Sequence, residues 1–213
     1  MNSDKNSVFA LVEVLRKKAP GYLDLMTAQS DAEFESAFDA ILEQAVSGLE
    51  SNSKNFASLD EEGLSGALAL AINVPGLTVT PETNSNGHVD LTVVADHCFP
   101  MRKKLAEAKI YDGPEKHIKG LEQLLGRYTT GREGRGLLIV YFRKKDIADL
   151  VNKLRERMDT DYPLSQQGKT LDHAIKWSFL SRHSHSCGEV LDVGHIGCNL
   201  YNAVVASKSP GTN

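Results

Sequence analysis

No stretch of this sequence comes near the roughly 18 consecutive apolar residues that a membrane-spanning helix requires, so no segment is expected to cross a bilayer as a helix. Cysteine is scarce. Cys98, Cys187 and Cys198 are an odd number without dense spacing, which excludes a disulfide-stapled scaffold and predicts free thiols in a reducing cytoplasm. Met1 to Ser7 is polar and lacks the basic-then-apolar order of a signal peptide, which again points to a cytoplasmic protein. There is no internal repeat and no low-complexity segment. An overall excess of positive charge is missing too: the net charge is −4. Its distribution is uneven, however. Residues 102–157 hold 15 of the 24 Lys and Arg against 8 Asp and Glu. Such a block reads either as a phosphate-binding surface or as a set of solvated helix faces.

The chain does have the length and apolar content for a core. Its 213 residues suit one domain with appendages, and 41% of them are hydrophobic. Val8, Leu11, Val12 and Leu15 form one stripe and predict a helix over 8–18, broken by Pro20-Gly21. Asp31 caps an expected helix over 31–50, with Phe34, Phe38, Ile41, Leu42, Ala45 and Leu49 inward. A third helix is expected over 59–73, opened by a capping-box pattern of Ser58 and Glu61. The apolar period then changes from helical to alternating. Strands are expected at 77–80, 88–95 and 103–111, with a turn at 84–87. Pro114 starts a helix to about 128, a Gly/Arg-rich loop follows, and 137–142 reads as an apolar strand. Asp146 caps a helix to about 158, residues 160–172 read as a polar link, and 174–181 and 189–201 read as strands. The order predicts an α/β fold of the α+β kind, a mixed central sheet flanked by helices, with N-terminal helices and C-terminal strands added.

Glu107-Ala108-Lys109 interrupts an otherwise apolar stretch. Alternation places Glu107 and Lys109 on one face and Ala106, Ala108 and Ile110 on the other. Asp90 is the odd polar residue of the preceding strand. A hairpin centred between Cys98 and Phe99 sets Asp90 opposite Glu107, with an ordinary loop of about six residues. Two apposed carboxylates repel unless a cation intervenes. Their hard oxygens select Mg²⁺ or Mn²⁺, which act as Lewis acid and water activator. Lys109 can hold the attacking water or offset charge on a phosphate. The competing reading is a cross-strand ion pair on a solvated face.

The run HVDLTV at 88–93, LAEAKIYDG at 105–113, GLEQLLGRY at 120–128 and GLLIVYF at 136–142, with LDEEGLS at 59–65 upstream, resembles the PD-(D/E)xK nuclease superfamily. That superfamily includes restriction endonucleases, recombination exonucleases and bacterial defence nucleases. The resemblance covers roughly residues 57–145. Val89 stands in place of the Pro of the name, and Tyr128 follows Gln123 by five residues rather than four, with Arg127 at the fourth. The resemblance implies a restriction-endonuclease-like core over 56–205, with a helical segment 1–55 packed on it; the terminal residues 206–213 are themselves expected to form a disordered tail. It implies a Mg²⁺- or Mn²⁺-dependent deoxyribonuclease, an effector of a bacterial defence or restriction system. The expected partners are DNA, a second copy in a homodimer and a defence-system protein. A non-catalytic nucleic-acid-binding or assembly subunit keeping the fold is the alternative.

In this resemblance Asp90, Glu107, Lys109, Glu61 and Gln123 are catalytic, and Asp90, Glu107 and Glu61 hold the metal. Glu61 and Glu62 compete for the helix acid. Glu61 shares the inward face with Leu64 and Leu68, and Glu62 is the reserve. The capping box with Ser58 is the other use of Glu61. Gln123 reads as a substrate-orienting amide or a plain surface amide. Lys116, Lys119, Arg127, Arg132 and Arg135 are the candidate phosphate contacts, against solvated or mobile charges. His183, His185, Cys187, His195 and Cys198 form a third candidate, a zinc cluster, although four ligands in tetrahedral array are needed and no CxxC pair is present.

Overall fold

The computed structural model describes residues 7–84, 88–98, 100–128 and 131–203. The turn residues 85–87 and the tail at 206–213 lie outside the described residues. α1 (Val8–Lys18), α2 (Pro20–Thr27), α3 (Asp31–Ser51) and α4 (Glu61–Ile72) come first. They lead into β1 (Thr78–Asn84), β2 (His88–Ala95) and β3 (Arg102–Ile110). Then come α5 (Pro114–Gln123), which ends in a π-helical turn to Tyr128, β4 (Gly136–Phe142) and α6 (Ile147–Asp161). β5 (Leu171–Asp172), β6 (Phe179–Ser184) and β7 (Val190–Asn199) complete the sheet.

Local chemistry sets these boundaries. Pro20 does more than end α1. Its fixed φ suits a first helical position, so it starts α2, a helix absent from the sequence reading. α3 is capped by Ser30 rather than Asp31, with Glu33 closing a capping box. At α4 the cap is Asp60, whose Oδ1 accepts the Gly63 N–H at 2.9 Å. The capping box of Ser58 and Glu61 is therefore not formed, and the Glu61 carboxylate is left for other partners.

The seven strands form one mixed sheet in the order β1-β2-β3-β4-β7-β6-β5. β1, β2 and β3 make an antiparallel meander, β3–β4 and β4–β7 are parallel, and β6 is antiparallel to its neighbours β7 and β5. α5 is the crossover that a parallel β3–β4 pair requires. Central β4 is buried on both faces, which is why its sequence is a continuous apolar run. Leu137, Ile139 and Tyr141 pack with α2, α3 and α4, while Leu138, Val140 and Phe142 pack with α5 and α6. Helices thus cover both faces of the sheet. α2 and α3 share their core with the sheet, whereas α1 buries no residue. No helix among the described residues is long and apolar enough to cross a membrane.

Candidate active site

The β2–β3 ladder sets Leu91 opposite Ala106, Thr92 opposite Leu105 and Val93 opposite Lys104. This is the register that places Asp90 across from Glu107, but the pairing stops at Leu91. Beyond it β2 stays with β1 and leaves the edge of β3 open. Two carboxylates take the amides there. Asp90 Oδ2 accepts the Ala108 N–H at 2.7 Å, and Glu61 Oε2 accepts the Ile110 N–H at 2.8 Å. An N-terminal helix and two strands are joined at one point because backbone donors on a buried edge must be satisfied.

Lys109 reaches into the middle of this group. Its Nζ donates to Glu107 Oε1, lies 3.3 Å from Glu61 Oε1 and stands 3.9 Å from Asp90 Oδ2. Lys116 Nζ approaches Glu61 Oε2 at 3.6 Å from α5. The Glu107 side chain is 3% exposed, and its Oε2 is buried with no hydrogen-bond partner among the described residues. Burial pushes the Glu107 carboxyl up to about 7, the Lys109 hydrogen bond opposes this, and the Asp90 and Glu61 charges add to it. Burial works against the Lys109 ammonium, but its three carboxylate neighbours outweigh that and hold it above its ordinary value.

Neighbouring elements fix these side chains. Arg143, just past β4, donates through Nη2 to the Phe56 and Leu59 carbonyls and so holds the segment that leads into Asp60 and Glu61. Gly120 lets α5 ride over the Lys109 stem: a Cβ there would lie 3.0 Å from Lys109 Cγ and 3.2 Å from Leu138 Cδ1. Both residues were missed in the sequence. A glycine inside a helix, flanked one turn away by Lys116 and Gln123, was the available signal for Gly120. Gln123 closes α5 half-buried, its Oε1 without a partner among the described residues. Glu62 is exposed and lines an open acidic cleft with Glu61, Ser65, Pro81 and Asp90.

Other candidates lie elsewhere. Lys119 is exposed on α5. The Arg127 side chain lies outside the described residues. Arg132 is exposed near the start of β4, at the opposite end of the sheet from Lys109. Arg135 is turned inward and bound by Asp39 and by Glu35 at 3.0 Å. Lys104, fully buried, donates to Glu35 and lies over the Phe34 and Phe38 rings. Arg102 pairs with Asp31 and Arg155 with Asp172. Much of the basic block is thus spent on acids that lie outside it in sequence.

The expected zinc ligands separate. His185 and Cys187 stay together on an exposed loop, while Cys198 is buried on the opposite sheet face from His195. His183 and His195 instead join a buried chain: His117 Nε2 to His195 Nδ1 at 2.8 Å, His195 Nε2 to Ser181 Oγ at 2.7 Å, and Ser181 Oγ to His183 Nε2 at 2.7 Å. The Leu164 carbonyl can only accept, so His183 Nδ1 donates to it at 3.1 Å. That fixes every proton in turn and leaves His117 Nδ1 a bare acceptor, without a partner among the described residues.

As the side chains stand, no three His, Cys, Asp or Glu among the described residues form a ready metal cage. At the candidate site two carboxylates are engaged by β3 amides and the ammonium lies between all three. The donor set nonetheless suits a hard cation: three carboxylates, an orphaned buried Glu107 oxygen and an open cleft beside them. No protein-family model matches this chain, and no curated protein and no solved structure matches it either.

Proposed function

We propose that this chain is a divalent-metal-dependent nuclease with a restriction-endonuclease-like core, hydrolysing DNA phosphodiester bonds as the effector of a bacterial defence or restriction system. The observation that carries this reading is the convergence of Asp90, Glu107 and Glu61 on Lys109 where β2 parts from β3. Asp90, Glu107 and Glu61 would hold Mg²⁺ or Mn²⁺, which supplies Lewis-acid polarisation of the phosphate and activation of water. The chain's own side chains supply the rest. Lys109, released from its carboxylates, orients the attacking water and offsets charge on the phosphoryl oxygens. Lys116, one turn from Gly120 on α5, faces the same group and contacts a phosphate. Gln123, whose Oε1 has no partner among the described residues, would orient substrate or water. Supercoiled plasmid incubated with the protein is expected to be nicked or degraded in Mg²⁺ or Mn²⁺ and left intact in EDTA. Cleavage that persists unchanged in EDTA overturns the reading.

One observation favours a second reading, a non-catalytic nucleic-acid-binding or assembly subunit. Lys109 already neutralises part of the carboxylate cluster, and an internal ion-pair group of that kind stands without a metal. Plasmid left intact in Mn²⁺ by a protein that retains DNA binding supports this alternative.

A further inference from the structure

α5 carries Lys116 and Gly120 to the candidate site, yet it enters the core with few side chains. Of its ten residues only His117, Gly120 and Leu121 are buried. Leu121, like Leu124 and Leu125 in the turn that follows, makes apolar contact. Such contact holds a helix down without fixing where it sits along the sheet. His117 makes a directional bond: its Nε2 donates to His195 Nδ1 at 2.8 Å.

His195 stands where that bond matters. Glu107 on β3, Leu138 on β4, His195 on β7 and Phe179 on β6 form one row across the sheet. Gly120, one turn beyond His117 on the same helix face, lies against Leu138 and the Lys109 stem. The bond therefore ties α5 to the row that carries Glu107.

Behind His195 the chain runs through Ser181 and His183 to the Leu164 carbonyl after α6, with every hydrogen bond in one direction. His117, Ser181, His183 and His195 are each at most 2% exposed. The chain ends in a bare acceptor, His117 Nδ1, and a buried group of that kind costs stability. Apolar side chains would fill the same space without that cost. What a polar chain adds is a single fixed arrangement of the elements it joins.

We propose that His117 is a positioning residue: its bond to His195 sets α5 so that Gly120 lies on the Lys109 stem and Lys116 faces Glu61. The consequence for cleavage rests on the nuclease reading, while the placement of α5 does not.

Three variants of the full chain test it. His117→Gln offers an amide N–H in place of Nε2–H. His117→Phe keeps a ring against Phe179 and His195 and loses the bond. Ser181→Ala removes the acceptor that fixes the His195 tautomer, two hydrogen bonds away from α5, and stands in should His117→Phe fail to fold. The first readout is amide hydrogen exchange of residues 114–123 in the metal-free protein. Exchange is expected to speed up by about tenfold in His117→Phe and Ser181→Ala, and to stay near the wild type in His117→Gln. The second is plasmid cleavage in Mn²⁺. There kcat is expected to fall at least about tenfold in His117→Phe and Ser181→Ala, with KM for plasmid unchanged, and His117→Gln to stay near the wild-type rate. Packing alone predicts the reverse order, because a phenyl ring suits an apolar core better than a carboxamide does. Wild-type exchange in His117→Phe overturns the proposal, as does exchange in His117→Gln that is as fast as in His117→Phe. A wild type that cuts DNA no faster than His117→Phe also overturns it. A wild type that does not cut at all overturns the nuclease reading instead, and the order of exchange rates still decides what holds α5.

Discussion

An ammonium held among three carboxylates sets what each residue of the site contributes. Asp90→Ala and Glu107→Ala are each expected to abolish plasmid cleavage by removing a ligand. Lys109→Ala is expected to abolish it as well, with metal binding kept, because an ammonium does not ligate the ion. Repulsion between apposed carboxylates alone would make Asp90→Ala stabilising in the absence of metal. The structure reverses that sign, since Asp90 accepts the Ala108 N–H on an open strand edge. Its removal is expected to cost about 1–2 kcal/mol, read as a lowered Tm. An Asp90→Ala protein that cuts DNA at the wild-type rate contradicts the site. Protonation adds a second expectation at this scale. Burial holds His117, at about 3, and His173, His183 and His195 below their ordinary value. Unfolded, each takes up a proton near pH 6.5, so the unfolded state binds more protons and stability falls as pH drops below that point. Glu107, raised to about 7, acts oppositely, its contribution fading as pH rises towards 7. Glu50, also raised by burial, acts in the same direction as Glu107, but the four histidines outweigh the two carboxyls, and Tm is expected to fall between pH 7 and pH 5. His117→Phe should flatten that slope by up to about 1.4 kcal/mol per pH unit. A Tm that rises on acidification contradicts the neutral histidine chain.

Among the elements, α5 couples packing to chemistry most tightly. Gly120→Val puts branched carbons where Lys109 Cγ and Leu138 Cδ1 already stand. Overpacking of this kind costs about 1–3 kcal/mol and moves the Lys109 stem, so cleavage is expected to fall at least about tenfold. Gly66→Ala on α4, where a Cβ meets nothing within 4 Å, is the control expected to leave activity unchanged. Unchanged cleavage by Gly120→Val shows that α5 does not position Lys109. Elements with a clear period were legible in the sequence. β2 follows its alternation from His88 to Ala95, and the six-residue loop 96–101 fixes the register that brings Asp90 to Glu107. α2 was not legible, because Pro20 serves equally well as a stop for one helix and a start for the next. Ser30 and Asp31 are both good caps, and only the geometry of Glu33 separates them. The role of Asp60 was hidden by Ser58, two residues earlier, which with Glu61 fits a capping-box pattern.

At the scale of the whole molecule, what the sequence concealed is long-range pairing. Residues 102–157 look basic in isolation, yet Arg102, Lys104 and Arg135 meet Asp31, Glu35 and Asp39 on α3, contacts that no local pattern encodes. The apolar stripe of α1 was legible, but that none of its residues is fully buried was not. The pairing follows from an acidic helical layer laid on one face of the sheet. The site lies where that layer, through Glu61, meets the open edge of β3. Its central claim is that three carboxylates there serve a cation whose place Lys109 now fills. Calorimetric titration with Mn²⁺ of the wild type, Glu107→Ala and Lys109→Met tests that claim. Wild-type binding, its loss in Glu107→Ala and tighter binding by Lys109→Met, where no ammonium competes, are the predicted results. Mn²⁺ affinity in Glu107→Ala equal to that of the wild type, or no binding by either the wild type or Lys109→Met, would contradict it.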